Sequence, residues 1–214
     1  MKDNEFTPHF VMPRLPGRSA GFAYDKSGWN LHMMPVGYLM IEHRLIERMV
    51  KLMASELEKI IKENKIDLTF IDAAVDFIKT YADKCHHGKE EDILFRGLSK
   101  KKMSSEHKKI MEELIQEHKM GRQSVSKLIG AKDGYSASNA QGTKEIQKHI
   151  KWLIEFYPQH IAKEDKDFFI PCMGYFDKDE QNKMLKEFYE FDGASIQETY
   201  RKIVQKLEKE KAIN

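Results

Sequence analysis

Two short stretches, His86-His87-Gly88-Lys89-Glu90-Glu91 and His160-Ile161-Ala162-Lys163-Glu164-Asp165, decide how this chain folds. Each places a histidine four residues before a glutamate. In an α-helix, residues i and i+4 share a face about 6 Å apart, so each pair aims an imidazole and a carboxylate at one point. Two more histidines, His43 and His118, sit singly on other helical stretches. Two pairs and two lone histidines make the ligand inventory of a two-metal site inside a helical bundle.

The flanking sequence supplies the helices. Pro35 suits a first helical position, and Val36, Leu39, Met40, His43, Ile46, Val50, Ala54 and Leu57 then recur at steps of three and four. Asn64 to Asp67 reads as a turn, with Asp67 an N-cap. A second helix carries Ile71, Ala74, Val75, Ile78 and Ala82 into the His86/Glu90 pair and ends near Gly97. A third is capped by Ser104, bears Ile110, Met111, Leu114, Ile115, His118, Val125 and Leu128 on one face, and ends near Ile129. Gly130 to Gly142 is the clearest loop. A fourth helix spans about Thr143 to Phe169; Pro158 should kink it just before His160, and Pro171 should end it. A fifth covers Asp179 to Phe191, and after Gly193 a sixth shows the stripe Ile196, Tyr200, Ile203, Val204, Leu207. No stretch alternates as a strand does, so the chain is expected to be all-α.

Residues 1–34 hold three of the six prolines and no periodicity, and read as an N-terminal arm. The expected division is an arm over 1–34, a bundle over 35–171, and a C-terminal helical extension over 172–214 packed on it. The length, 214 residues, allows a full-sized core. With 36 basic against 34 acidic residues the net charge is +2, so nothing calls for nucleic acid. No apolar run approaches the roughly 20 residues that span a bilayer. Two cysteines, Cys85 and Cys172, are too few for a disulfide framework. Together with an N-terminus that lacks a secretory pattern, they suit a cytoplasmic protein.

A single His-x-x-x-Glu on a helix is commonly a charge pair on a wet face. Placement argues otherwise here. His43, His118, His160 and Glu164 fall on the apolar stripes of their helices, where unpaired polar groups are costly. Imidazole and carboxylate suit iron, manganese or zinc, and a carboxylate has two oxygens to share between two ions. Iron is the first expectation, with manganese, zinc or a mixed pair as alternatives. Within the first motif, His86/Glu90 continues the inner face through Ala82 and Ile78. His87 and Glu91 then point about 100° away as outer or surface groups. His149 lies about 16 Å from His160 along the helix, too far to share the metals, and reads as a core or inter-helix hydrogen-bonding histidine. His9, His32 and His107 have no partner spacing, and the cysteines and most methionines read as packing.

A lone His, a His-x-x-x-Glu pair, a second lone His and a second pair resemble the hemerythrin-like (HHE cation-binding) domain family. HHGKEEDILF, EHK at 117–119 and HIAKED before an aromatic run and Pro171 all fit it, over about residues 35–171. The resemblance implies an up-down four-helix bundle with a non-heme di-iron centre. By position, the ligands would be His43, His86, Glu90, His118, His160 and Glu164, with Glu90 and Glu164 as bridges. Oxygen-carrying hemerythrins have a fifth histidine one turn from the third-helix ligand. Leu114 and Arg122 stand there instead, and Glu47, one turn after His43, is the nearest candidate carboxylate. The function implied is binding or sensing of O2 or NO, or handling of reactive oxygen or nitrogen species. The alternatives are a di-iron redox enzyme acting on peroxide, NO or O2, or an iron storage or sensing protein. A sensor would need a separate signalling partner, self-association is a further expectation, and a metal-free helical interaction protein is the competing class.

Overall fold

The structure is a computed structural model and describes residues 34–136, 140–193 and 195–213. The arm, with His9 and His32, lies outside the described residues. Among the described residues there are six helices: α1 (Pro35–Glu63), α2 (68–98), α3 (Ser105–Asp133), α4 (140–173), α5 (Lys178–Asp192) and α6 (Ile196–Ile213). There is no strand among the described residues. α1 to α4 form a closed bundle in which each packs on the next and α4 returns to α1; α5 and α6 fold back over α1 and α2.

The helix ends are set locally. Pro35 stands at the start of α1, and Asn64 ends it in the left-handed region, φ 51°. The Asp67 side chain accepts from the Phe70 amide, and the Ser104 hydroxyl accepts from the His107 amide at 3.1 Å. Asp177 and Glu180 form a reciprocal capping box at the head of α5. Removing a cap leaves a first-turn amide without its partner. Ser104→Ala should therefore cost about 1 kcal/mol and lower the melting temperature by about 2–4 °C. An unchanged melt would show that the hydroxyl does not cap.

Two helices depart from α geometry beside the histidine pairs. α2 takes π-type pairing over Phe77–His87 and again over Glu90–Phe95, and α4 does so over Glu164–Phe168. A π turn holds more than four residues, so residues four apart come nearly into line. α3 runs four residues past Ile129, and α4 starts before Thr143, so the expected 130–142 loop is shorter than its composition implies. α4 also continues through Pro158 and past Pro171, stopping at Gly174.

One part of the bundle is apolar. Met49, Met53 and Ile60 of α1, Phe70, Ile71 and Phe77 of α2, Leu128 of α3, and Ile146, Ile150 and Leu153 of α4 are all buried there, joined by Tyr200 and Val204 of α6. Burial of this kind contributes about 25 cal/mol per Å² of apolar surface. The helices therefore hold together without the polar groups at the other end, which are free to serve chemistry.

Candidate metal centre

His43 on α1, His86 and Glu90 on α2, His118 on α3, and His160 and Glu164 on α4 converge in the bundle, each 2% exposed or less. Five distances tie them together. His43 Nε2 is 3.1 Å from Glu164 Oε2, and His86 Nε2 is 3.2 Å from Glu90 Oε1. His118 Nε2 is 3.3 Å from Glu90 Oε2 and 3.7 Å from Glu164 Oε1. His160 Nε2 is 3.3 Å from Glu164 Oε1. Each glutamate thus turns one oxygen to the His43/His86 side and the other to the His118/His160 side.

The outer ring nitrogens show which atom faces inward. His86 Nδ1 pairs with Glu42 at 2.8 Å, His118 Nδ1 with Glu91 at 2.7 Å, His160 Nδ1 with Glu117 at 2.8 Å, and His43 Nδ1 with Asp165 at 2.7 Å. These partners run round the bundle: an acid on α1 serves α2, one on α2 serves α3, one on α3 serves α4, and one on α4 serves α1. Each acid is clamped in turn by a cation on the helix whose histidine it holds. Lys89 binds Glu42 at 2.5 Å and Arg122 binds Glu91 at 2.6 Å; Lys163 binds Glu117 and Arg44 binds Asp165. A carboxylate only accepts, so each Nδ1 donates and leaves the Nε2 lone pair of a neutral ring pointing inward.

The four inward nitrogens and all four oxygens of Glu90 and Glu164 are buried without a hydrogen-bond partner. Eight acceptors facing one another without a donor would be strongly destabilising if nothing lay between them. A cation resolves this. Donors about 2.1 Å from a shared ion, 90–109° apart, stand about 3.0–3.4 Å from each other, which is the spacing of four of the five pairs, with His118 Nε2 and Glu164 Oε1 wider at 3.7 Å. The donor set therefore fits metal ions. Protons alone would have to substitute for that charge. Burial opposes protonation of His86, but Glu90 and Glu42 outweigh it and carry the ring up to about 10. His43 and His118 are likewise raised against burial by their acidic neighbours. Burial and the Glu90 charge press Glu164 upward, yet His160, His118 and His43 hold it down to about 2.

Aromatic rings fix the imidazoles from behind. Phe169 stacks on His43 at 5.5 Å, Phe95 on His118 at 6.0 Å and Phe156 on His160 at 5.1 Å.

Three sequence expectations need correction. His87 does not point away: it is buried, stacks on His118 at 3.9 Å, and forms a group with His118 and His160 whose ligand atoms lie within 4.8 Å of one another. The wider π turn brings neighbouring residues 86 and 87 closer in angle than an α-helix allows. Burial and the His118 charge hold His87 well below the usual histidine range, so it is a neutral ring. Glu47 is not a substitute ligand; its carboxylate faces Arg44 at 3.3 Å near the surface. Among the described residues His149 makes no inter-helix bond that would mark a core role; it stands 3.8 Å from Glu145 on its own helix. His107, which has no partner spacing in the sequence, bonds the Tyr175 hydroxyl at 2.8 Å. Cys85 and Cys172 are free buried thiols, and burial pushes Cys172 up to about 12.

Glu91, read as an outer or surface group, is one of the acids that hold the rings; Glu42, Glu117, Asp165 and the cations were missed, although a signal for the acids was present. An acidic residue adjoins a site residue on every helix: Glu42 beside His43, Glu91 beside Glu90, Glu117 beside His118, Asp165 beside Glu164.

A comparison with family profiles matches residues 34–170 to the hemerythrin HHE cation binding domain. Neither a curated protein nor a solved structure matches the chain. The match covers well over half of the sequence and the four helices that carry the buried histidines and glutamates, and on that ground the chain belongs to the hemerythrin HHE cation-binding domain family.

Proposed function

We propose that this protein carries a carboxylate-bridged pair of non-heme metal ions, iron first, and uses them to bind or sense O2 or NO or to handle reactive oxygen or nitrogen species. The observation that carries the reading is the nest of eight buried acceptors, divided so that Glu90 and Glu164 each offer one oxygen to either side. His43 and His86 would complete the first half-site. His118 and His160, with His87 adjacent, would complete the second. A bound redox metal supplies an open position for a small ligand and the electrons that the ligand takes or gives.

The residues make the two half-sites unequal. The first is backed by the buried Glu42–Lys89 pair. The second adjoins a cavity of about 210 Å³ whose buried wall is His87, Ile78, Val125, Gly121 and Tyr157, with Lys79, Ser126 and the Asp83–Arg122 ion pair towards solvent. A diatomic molecule or peroxide fits this space, and His87 stands between it and the His118 and His160 rings. A space of this size beside the second half-site supports turnover of peroxide, NO or O2 as the second reading, over storage.

Metal analysis of protein purified without added metal, with absorbance spectra before and after oxidant, tests the reading. The expected result is two irons per chain and near-ultraviolet bands that respond to oxidant. Absence of stoichiometric metal, before and after anaerobic reconstitution with Fe(II), would overturn it. Sustained consumption of peroxide or NO over many cycles would mark an enzyme; a single stoichiometric change would mark a binder.

A further inference from the structure

Three of the four cations that clamp the ring-holding acids stand at the surface: Arg44, Arg122 and Lys163 have side chains 42%, 39% and 28% exposed. The fourth, Lys89, is fully buried. Its ammonium touches Glu42 on one side and Asp192, the last residue of α5, on the other. Asp192 is itself held by the Tyr38 hydroxyl and by the Cys85 thiol at 2.9 Å. Gln197, in the first turn of α6, donates to both Glu42 and Asp192 and accepts from the Tyr81 hydroxyl at 2.7 Å. The absence of a Cβ at Gly88 lets the Phe191 ring lie against α2 beside these groups; a methyl there would stand 2.7 Å from that ring. Residues 191–197 lie beyond the segment that matches the family.

We propose that the C-terminal hairpin, α5–α6, is a working part of the metal centre. Lys89 is a positioning residue: anchored by Asp192, it fixes Glu42, and Glu42 orients His86 in the first half-site. Metal occupancy of that half-site and docking of the hairpin are then linked. Linkage is reciprocal, so whatever loosens the hairpin weakens the metal, and removal of the metal loosens the hairpin by the same factor. The arrangement singles out one half-site, because among the described residues the cations that clamp the other three acids make no ion pair with α5 or α6. Undocking would expose Leu185, Phe188, Tyr200 and Val204, all buried, so the metal state would be legible on the protein's surface.

This inference rests on the two-metal reading, and the full-length chain tests both. Amide exchange is followed with and without anaerobic Fe(II), alongside calorimetric titration of Fe(II) into wild type, Asp192→Asn and Lys89→Met. Expected are slower exchange in residues 185–205 on loading and, in Asp192→Asn, loss of affinity at one of two metal equivalents by about 10–100-fold, the scale of an outer-partner change. Leu128→Ala, in the apolar part of the bundle, controls for stability: it should lower the melting temperature without separating the two equivalents. If Lys89→Met fails to fold, the wild-type exchange and Asp192→Asn still decide. Two metals bound with hairpin exchange unchanged, or both equivalents weakened alike by Asp192→Asn, would overturn the inference alone. A wild type that takes up no metal would overturn the two-metal reading, and the hairpin role with it.

Discussion

On the two-metal reading, exchanging Glu164 for glutamine should remove metal from both half-sites at once while leaving the helices in place. Glu164 turns Oε2 to His43 and Oε1 to His160 and His118, so this one carboxylate belongs to both halves. Glutamine keeps its shape but loses the charge and puts an amide donor where an acceptor stood. The amide is a poor metal ligand on its nitrogen side, and it can donate to a neighbouring Nε2, which supplies part of what the metal-free nest lacks. Affinity should therefore fall by more than about 100-fold for both ions, beyond the 10–100-fold typical of losing an outer partner. Glu91→Gln sets that lower scale in the same protein. It keeps Glu90 and Glu164, replaces the charged acceptor of His118 Nδ1 by a neutral amide oxygen and should weaken the second half-site alone. Elemental analysis after Fe(II) reconstitution, with far-ultraviolet circular dichroism on the same samples, separates lost metal from lost fold. Two irons retained by a helical Glu164→Gln protein would remove Glu164 from the centre.

The helices were legible because their signals are local. Asp67 and Ser104 announce helix starts through their side-chain oxygens, and both cap as read. The 3–4 spacing of Ile71, Ala74, Val75 and Ile78 names the buried face of α2, and all four are buried. Prolines were less informative than expected. Pro171 lies inside the last turn of α4, held there by buried Phe168, Phe169 and Cys172. Tertiary burial outweighs one missing amide. The six residues named from spacing do meet in space, whereas His87 was misplaced because a rotation of 100° per residue was assumed across a stretch that pairs as a π-helix. No residue in FIKTYADKCHH marks that pairing; it depends on what the neighbouring helices demand of His86 and His87 together. The partners of the imidazoles were hidden for another reason. They lie on adjacent helices, 27 to 122 residues away along the chain, and sequence spacing relates only residues on one helix.

The same geometry makes the bundle a four-fold repetition of one device. Each helix presents a histidine and a cation that together grip a carboxylate from the helix before it, and the ring closes from α4 to α1. A donated Nδ1 proton fixes both the tautomer and the tilt of each ring. The orientation of each ring is therefore set by residues outside the nest. Phe169, Phe95 and Phe156 behind the rings keep the alternative rotamers out of reach.

Metal loading should reverse the sign of the pH dependence of stability. In the metal-free protein His86 is raised to about 10, with His43 and His118 raised as well. A group raised above its unfolded value of about 6.5 stabilises fully below that value. Its contribution is then lost as pH climbs through the folded value. Glu90 and Glu164 are shifted the other way, Glu164 to about 2, so their contribution is present above about 4.5 and lost only in strong acid. The metal-free bundle should therefore melt highest between about pH 4.5 and 6.5 and lose stability towards pH 9. Metal needs the same Nε2 atoms unprotonated, so binding expels protons and tightens as pH rises. At free metal about 1,000-fold above Kd the added stability is about 4 kcal/mol, or about 8–16 °C for a chain of this size. That increment should shrink towards pH 6 and grow towards pH 8.5, where the metal-free protein is weakening. Differential scanning calorimetry of chelated and Fe(II)-loaded samples across this range measures both slopes. An increment that does not change with pH would mean that metal displaces no protons and that the imidazoles are already neutral in the metal-free protein, which would overturn the raised His86, His43 and His118.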